Sequence, residues 1–200
     1  MTPITVFAFV KPNRMGMAKT RLARDIGKTE ARRINAMSTA RALRALDDQR
    51  WTGVLSVAPD TAVKSRQPLW PDQLIRIPQG GGDLGDRLTR AFDLAPSGRV
   101  IFVGSDMPDL RPADIHAASQ KLLTHSAVFG PADDGGFWLF GMTKSCRTKA
   151  PFDDVRWSSQ WALADVRGNL RRDRVAYLDE RIDIDDFDAL TKWRARNRTD

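Results

Sequence analysis

The chain has 200 residues, 42% of them hydrophobic, and 32 Lys and Arg against 25 Asp and Glu give a net charge of +7. That length suits one domain spanning residues 1–200, no apolar run approaches bilayer length, and the opening Met1-Thr2-Pro3 carries no leader pattern, so a cytoplasmic protein without a membrane span is expected. Cys146 stands alone and only His116 and His125 accompany it, which removes an internal disulfide framework and leaves oxygen as the expected donor for any metal.

Strand and helix patterns alternate along the chain. Ile4 to Val10 is an apolar β-type run, and Lys19 to Leu46 places apolar residues at helical spacing, with Gly27 expected to break or bend the helix. Thr52 to Ala58 reads as a buried strand, Leu74 to Ile77 as a short one, and Asp83 to Leu94 as a helix capped by Asp83. Further strands are expected at Arg99 to Val103, Ala127 to Phe129, Phe137 to Phe140 and Val175 to Leu178. Helices are expected at Pro112 to Leu123, from Ser159 to Leu170, and from about Asp186 onward. Such alternation predicts an α/β fold with a mostly parallel sheet flanked by helices.

In an open α/β sheet, ligands gather where strands end and helices begin. The first such junction carries Lys11, Arg14, Gly16, Lys19 and Arg21, a basic loop with a glycine that leads into a helix. Free amides and the helix dipole make that junction an anion site, and a polyphosphate is its natural occupant. It is not a Walker loop, because Asn13 and Ala18 stand where that motif requires glycine. Gln79-Gly80-Gly81-Gly82 permits close backbone approach before the Asp83 cap, and Gln79 is placed to read a base edge. Asp106 follows the strand at Val100 to Val103, where a metal ligand and a turn carboxylate are equally plausible from position alone. Asp183 and Asp185 follow the last strand, on one face at strand spacing. A few carboxylates plus substrate phosphates are what Mg²⁺ uses.

Elsewhere the basic residues are scattered. Neither Arg171-Arg172-Asp173-Arg174 nor the tail from Lys192 to Arg198 has the interleaved aromatics of a nucleic-acid platform, so no nucleic-acid partner is expected.

Taken together and in order, Lys11-Pro12, Gly16, Lys19-Thr20-Arg21-Leu22, Gln79 to Gly85, Gly104 to Pro108, Gly130 to Phe137, Trp157-Ser158-Ser159 and Asp183-Ile184-Asp185 resemble the GT-A-like nucleotide-diphospho-sugar transferase family. That family, also named radical-SAM/selenodomain-associated transferase, is related to 2-phospho-L-lactate guanylyltransferase. The resemblance implies a single-domain Rossmann-like GT-A fold, a nucleotide or nucleotide-sugar substrate with a small-molecule acceptor, and Mg²⁺ or Mn²⁺ as cofactor. Carried over by residue, Lys11, Gly16, Lys19 and Arg21 would hold phosphates, and Gln79, Gly80 and Gly81 would lie near the nucleotide. Asp106, Asp183 and Asp185 would bind the metal. Asp134, catalytic alongside Asp106, would line the acceptor side with Gly135, Gly136, Trp157 and Ser158. Two departures stand out: Phe137 replaces a tyrosine that often follows the glycine pair, and Asp186-Phe187 replaces the usual Thr-Pro.

Glycosyl transfer is the first expectation, because Asp133 and Asp134 beside two glycines suit a polyhydroxyl partner better than an anionic phospho-acid. The alternatives are guanylyltransferase-like nucleotidyl transfer to a small phosphorylated acid and catalytically silent nucleotide binding.

Overall fold

The computed structural model describes residues 2–13, 19–171 and 173–196. Its strands are β1 (Ile4–Val10), β2 (Thr52–Val57), β3 (Ile75–Pro78), β4 (Gly98–Gly104), β5 (Ala127–Pro131), β6 (Phe137–Lys144) and β7 (Val175–Tyr177). They form one seven-stranded sheet in the order β3-β2-β1-β4-β6-β5-β7. All neighbours are parallel except the two pairings of β6, which runs antiparallel to β4 and β5. The expected mostly parallel α/β architecture is therefore what forms. Near-continuous apolar runs such as Ile4–Val10 are the signature of strands covered on both faces.

The helices are α1 (Thr20–Ile26), α2 (Lys28–Leu46), α3 (Leu84–Leu94), α4 (Pro112–Lys121), α5 (Ala162–Asn169) and α6 (Phe187–Arg196). Gly27 separates α1 from α2 at φ +83°, a left-handed value that glycine adopts without a Cβ penalty, so the expected break is real. Asp83 and Asp86 build a reciprocal capping box that starts α3 where the sequence predicts. The helix expected from Ser159 starts instead at Ala162. Ser159 is committed to a turn, its hydroxyl donating to the Arg156 carbonyl at 2.5 Å and accepting from the Trp161 amide at 3.2 Å.

Residues of α2 and α4, with Trp51 and Trp70, cover one sheet face, and residues of α3 and α5 cover the other. A third, smaller cluster joins Leu22 of α1, Ala31 and Ile34 of α2, Ile184 and Leu190. It pins the segment after β7 against the first helices.

The second face is aromatic. Phe102 of β4 stacks on Phe7 at 5.4 Å and Phe140 at 6.5 Å and meets Phe152 edge-on at 6.0 Å. Removing that ring should leave a cavity in a close-packed layer. Phe102→Ala is expected to lower unfolding free energy in urea by about 3–5 kcal/mol. A loss under about 1 kcal/mol would show that this layer is not close-packed around Phe102.

Candidate functional site

Strand order reverses between β1 and β4, since β2 and β3 lie on one side of β1 and β4 on the other. The carboxyl ends of β1, β3 and β4 open there into a cleft of about 410 Å³. Lys11 enters it from β1, Lys19 and Thr20 from the start of α1, Gln79 from β3, and Ser105 and Asp106 from β4. Of the residues expected from sequence, the cleft thus gathers Lys11, Lys19, Gln79 and Asp106. Gly16 and Arg14 lie outside the described residues, and Arg21 is exposed on α1 outside the cleft lining.

Seven further lining residues were not among those expected: Thr20, Leu84 and Ser105, which neighbour expected ones in sequence or motif, and Asn35, Thr39, Arg87 and Phe9. Asn35 and Thr39 are buried polar side chains one turn apart on α2, with Asn35 Nδ2 donating to Asn13 Oδ1 at 3.2 Å. Two polar residues at i and i+4 on an otherwise apolar helix face are the signal that could have revealed them. Arg87 reaches in from the first turns of α3, and Phe9 forms part of the floor.

Lys19 is the most constrained of these groups. Its backbone is left-handed at φ 50°, a cost of about 1–3 kcal/mol that persists only where the surroundings impose it. Its side chain is 1% exposed and its ammonium lies 3.6 Å from Asp185 Oδ1. The same ammonium donates to the Ile184 carbonyl at 2.6 Å. Lys19 therefore ties the start of α1 to the segment after β7, with its charge offset by Asp185.

Asp183 and Asp185 do not sit at the strand spacing expected of them. The Asp185 amide donates to the Asp183 carbonyl at 3.1 Å, so the chain turns between them instead of running extended. Asp185 serves Lys19. The Oδ1 of Asp183 is shielded from solvent and has no hydrogen-bond partner, although the residue as a whole is only half-buried. Burial pushes its pKa up to about 7. Lys19 opposes that rise, while the charges of Asp185, Asp106 and Asp134 add to it. An orphaned carboxylate oxygen within the field of other carboxylates is a hard-cation donor set, so these residues fit Mg²⁺ or Mn²⁺ in kind. Among the described residues, no group of three His, Cys, Asp or Glu side chains converges on a single point.

Gln79 is buried, and both ends of its amide are engaged. Nε2 donates to the Ser56 carbonyl at 2.8 Å, and Oε1 accepts from Arg87 at 3.2 Å. One donor hydrogen and one acceptor lone pair remain for a ligand. Gly80 has φ +74°, and its amide donates to Asp60 Oδ1 at 3.0 Å. Gly81 is open, with nothing near the position of a Cβ. Because Asp83 and Asp86 occupy the start of α3, this loop suits an uncharged part of a ligand better than a phosphate.

On the expected acceptor side, Asp133 and Asp134 are exposed, and Asp134 Oδ1 accepts from the Gly136 amide at 2.9 Å. Gly135, at φ +85°, packs so closely on the Gln160 backbone that any side chain would collide. Trp157 meets Phe137 at 6.2 Å and Phe152 at 6.1 Å, and its indole nitrogen abuts Gly85. Ser158 is exposed at φ 56°. None of these residues lines the 410 Å³ cleft; they form a separate wall on the β5–β6 side.

Residues 39–159 match the family described as "Uncharacterized protein conserved in bacteria (DUF2064)". The chain belongs to DUF2064. The matched stretch holds the Gln79 loop, Asp106 and the Asp134 wall, while Lys11, Lys19, Asp183 and Asp185 lie outside it. Over 98% of the DUF2064 chain and 88% of the other, the fold matches a candidate nucleotide-diphospho-sugar transferase from Desulfovibrio desulfuricans G20, at 28% identity and TM-score 0.83. The 4-diphosphocytidyl-2C-methyl-D-erythritol synthase of Anaerococcus prevotii DSM 20548 matches at TM-score 0.59 and 9% identity, over 98% and 99% of the two chains. Rv0371c of Mycobacterium tuberculosis H37Rv, in complex with manganese, matches at TM-score 0.53 and 16% identity, over 96% and 97%. The last two likenesses are of fold alone. The chain matches no curated protein.

The raised pKa of Asp183 sets a pH dependence. Below about pH 4 the carboxyl is neutral in both folded and unfolded chains. As pH rises toward 7 the unfolded chain loses its proton first, so this group costs the fold progressively more, up to about 4 kcal/mol. Asp183→Asn in metal-free buffer should therefore raise Tm above wild type at pH 8 and leave it nearly unchanged at pH 4. Equal Tm differences at the two pH values would contradict the burial of an unpaired carboxylate.

Proposed function

We propose that this protein is a nucleotide-dependent transferase that takes a nucleotide-diphospho-sugar in the cleft and passes the glycosyl group to a small hydroxyl-bearing acceptor. The observation that carries the reading is the collection of Lys11, Lys19, Arg87 and Asp106 in one cleft at the point where strand order reverses. Lys11 and Arg87 are positioned to flank a diphosphate. The nucleoside would extend toward Gln79 and the open Gly81, where the acid-capped start of α3 disfavours phosphate.

Asp106 and the unpartnered oxygen of Asp183 are the groups that would hold a divalent cation, with Asp185 retained by Lys19. When bound, such an ion neutralises charge developing on the leaving diphosphate. Glycosyl transfer is favoured over attack on a triphosphate by the state of Lys19. With its ammonium on the Ile184 carbonyl and beside Asp185, it is poorly placed to serve a third phosphate. Asp133 and Asp134, exposed at the edge of the β5–β6 wall, suit the hydroxyls of a sugar or acceptor. A second reading, nucleotidyl transfer to a small phosphorylated acid, draws support from the full-length fold likeness to 4-diphosphocytidyl-2C-methyl-D-erythritol synthase.

Competition binding separates the two. Nucleotide-diphospho-sugars are expected to displace a labelled nucleoside diphosphate in the presence of Mn²⁺. Binding restricted to triphosphates, with pyrophosphate released on adding a phosphorylated hydroxy acid, would establish the second reading instead.

Asp106→Asn discriminates a metal ligand from a turn residue, because asparagine keeps the local hydrogen bonding but not the charge. The variant is expected to keep its ligand-free Tm and to lose the extra stabilisation that Mn²⁺ adds to nucleotide. A normal Mn²⁺ response would remove Asp106 from the metal site.

A further inference from the structure

Between α2 and the β4–α4 loop lies a second cavity of about 390 Å³, whose lining does not include Asp106. Arg41 and Arg44 of α2 form one wall, and Pro108, Asp109, Leu110 and Arg111 form another. Arg41 donates to the Pro108 carbonyl at 2.6 Å and lies 3.8 Å from Asp109 Oδ1. The other oxygen of Asp109 is taken by Trp193 Nε1 at 2.6 Å, and its backbone carbonyl by Arg181 at 3.0 Å. Just outside, Arg181 and Asp114 cancel each other in a bidentate pair at 2.9 and 2.5 Å.

Arg44 and Arg111 form no ion pair among the described residues. The side-chain bond of Arg44 is to the Ala40 carbonyl of its own helix, at 3.2 Å. Three guanidinium groups against one carboxylate leave a surplus of positive charge lining a concavity. Concave walls of one sign concentrate potential, and planar guanidiniums match phosphate oxygens in pairs. The start of α4 is no part of the argument, since Asp114 already accepts the Arg111 amide at 2.7 Å.

We propose that this cavity is a separate binding site for a phosphorylated small molecule, held through its phosphate by Arg44 and Arg111 with Arg41 alongside. Its volume lies within the roughly 300–1,000 Å³ of small-molecule sites, which leaves room for an organic body beside the phosphate. Arg41 grips the carbonyl of Pro108, two residues beyond Asp106, so a ligand here abuts the loop that carries the cleft carboxylate.

Calorimetry with glucose 6-phosphate as probe, and glucose and inorganic phosphate as controls, tests the site without reference to turnover. Wild type is expected to bind glucose 6-phosphate more tightly than inorganic phosphate and glucose not detectably. The Arg44→Ala/Arg111→Ala variant should lose at least tenfold in affinity, Arg44→Lys/Arg111→Lys should keep part of it, and the cleft variant Lys11→Ala/Arg87→Ala should match wild type. All four side chains are on or near the surface, and unchanged melting curves verify folding. Undetectable binding to wild type, unchanged binding by Arg44→Ala/Arg111→Ala, or loss in the cleft variant would each overturn the proposal. Loss in the cleft variant would assign the phosphate to the first cleft and leave the transferase reading standing.

Discussion

One buried ammonium organises the cleft. Lys19 Nζ donates at 2.6 Å to the carbonyl of Ile184, joining groups 165 positions apart in the chain. Charge-assisted bonds of this kind contribute about 1.5–3 kcal/mol, and leaving either partner buried and unpaired costs more. Lys19 adopts left-handed backbone to make the contact, and Ile184 sits in the small cluster with Leu22 and Ile34. The first helix and the segment after β7 are thereby locked to each other. The lock fixes Asp183 within electrostatic reach of Asp106.

The electrostatics follow from that placement. Lys19 brings a positive charge near Asp183, where the charges of Asp185, Asp106 and Asp134 act in the opposite sense. One lysine cannot satisfy all of them, and Asp183 keeps an oxygen that is shielded and unpartnered. A fold tolerates such a group when something else completes it, and sites with strongly displaced pKa values concentrate where chemistry is done. Lys19 itself is held by the Ile184 carbonyl and Asp185, whereas the Lys11 side chain lines the cleft with no ion pair among the described residues.

Much of this was legible in the chain because the signals were local. Apolar runs marked β1 and β4, Gly27 marked the break between α1 and α2, and Asp83 marked the start of α3. The parallel sheet followed from alternation alone. The lining of the cleft was readable where strand ends carried unusual residues, as with Lys11, Gln79 and Asp106. What escaped was nonlocal. Nothing near Lys19 in sequence reveals that its ammonium belongs to Ile184 and Asp185, so spacing suggested a free phosphate ligand. Asp183 and Asp185 looked like a matched pair because an extended chain would align them, whereas the chain turns there, Asp185 pairs with Lys19 and Asp183 keeps an unpartnered oxygen. Asn35 and Thr39 were hidden inside a helical pattern that reads as core.

Metal binding at the orphaned Asp183 oxygen is the central claim. A crystal grown with Mn²⁺ and a nucleoside diphosphate, with anomalous scattering used to locate the metal, tests it most directly. The account predicts an anomalous peak within direct coordination distance, about 2.1 Å, of Asp183 Oδ1, shared with Asp106 and the diphosphate. Diphosphate bound in the cleft with no metal at Asp183, or metal bound away from both carboxylates, would contradict it.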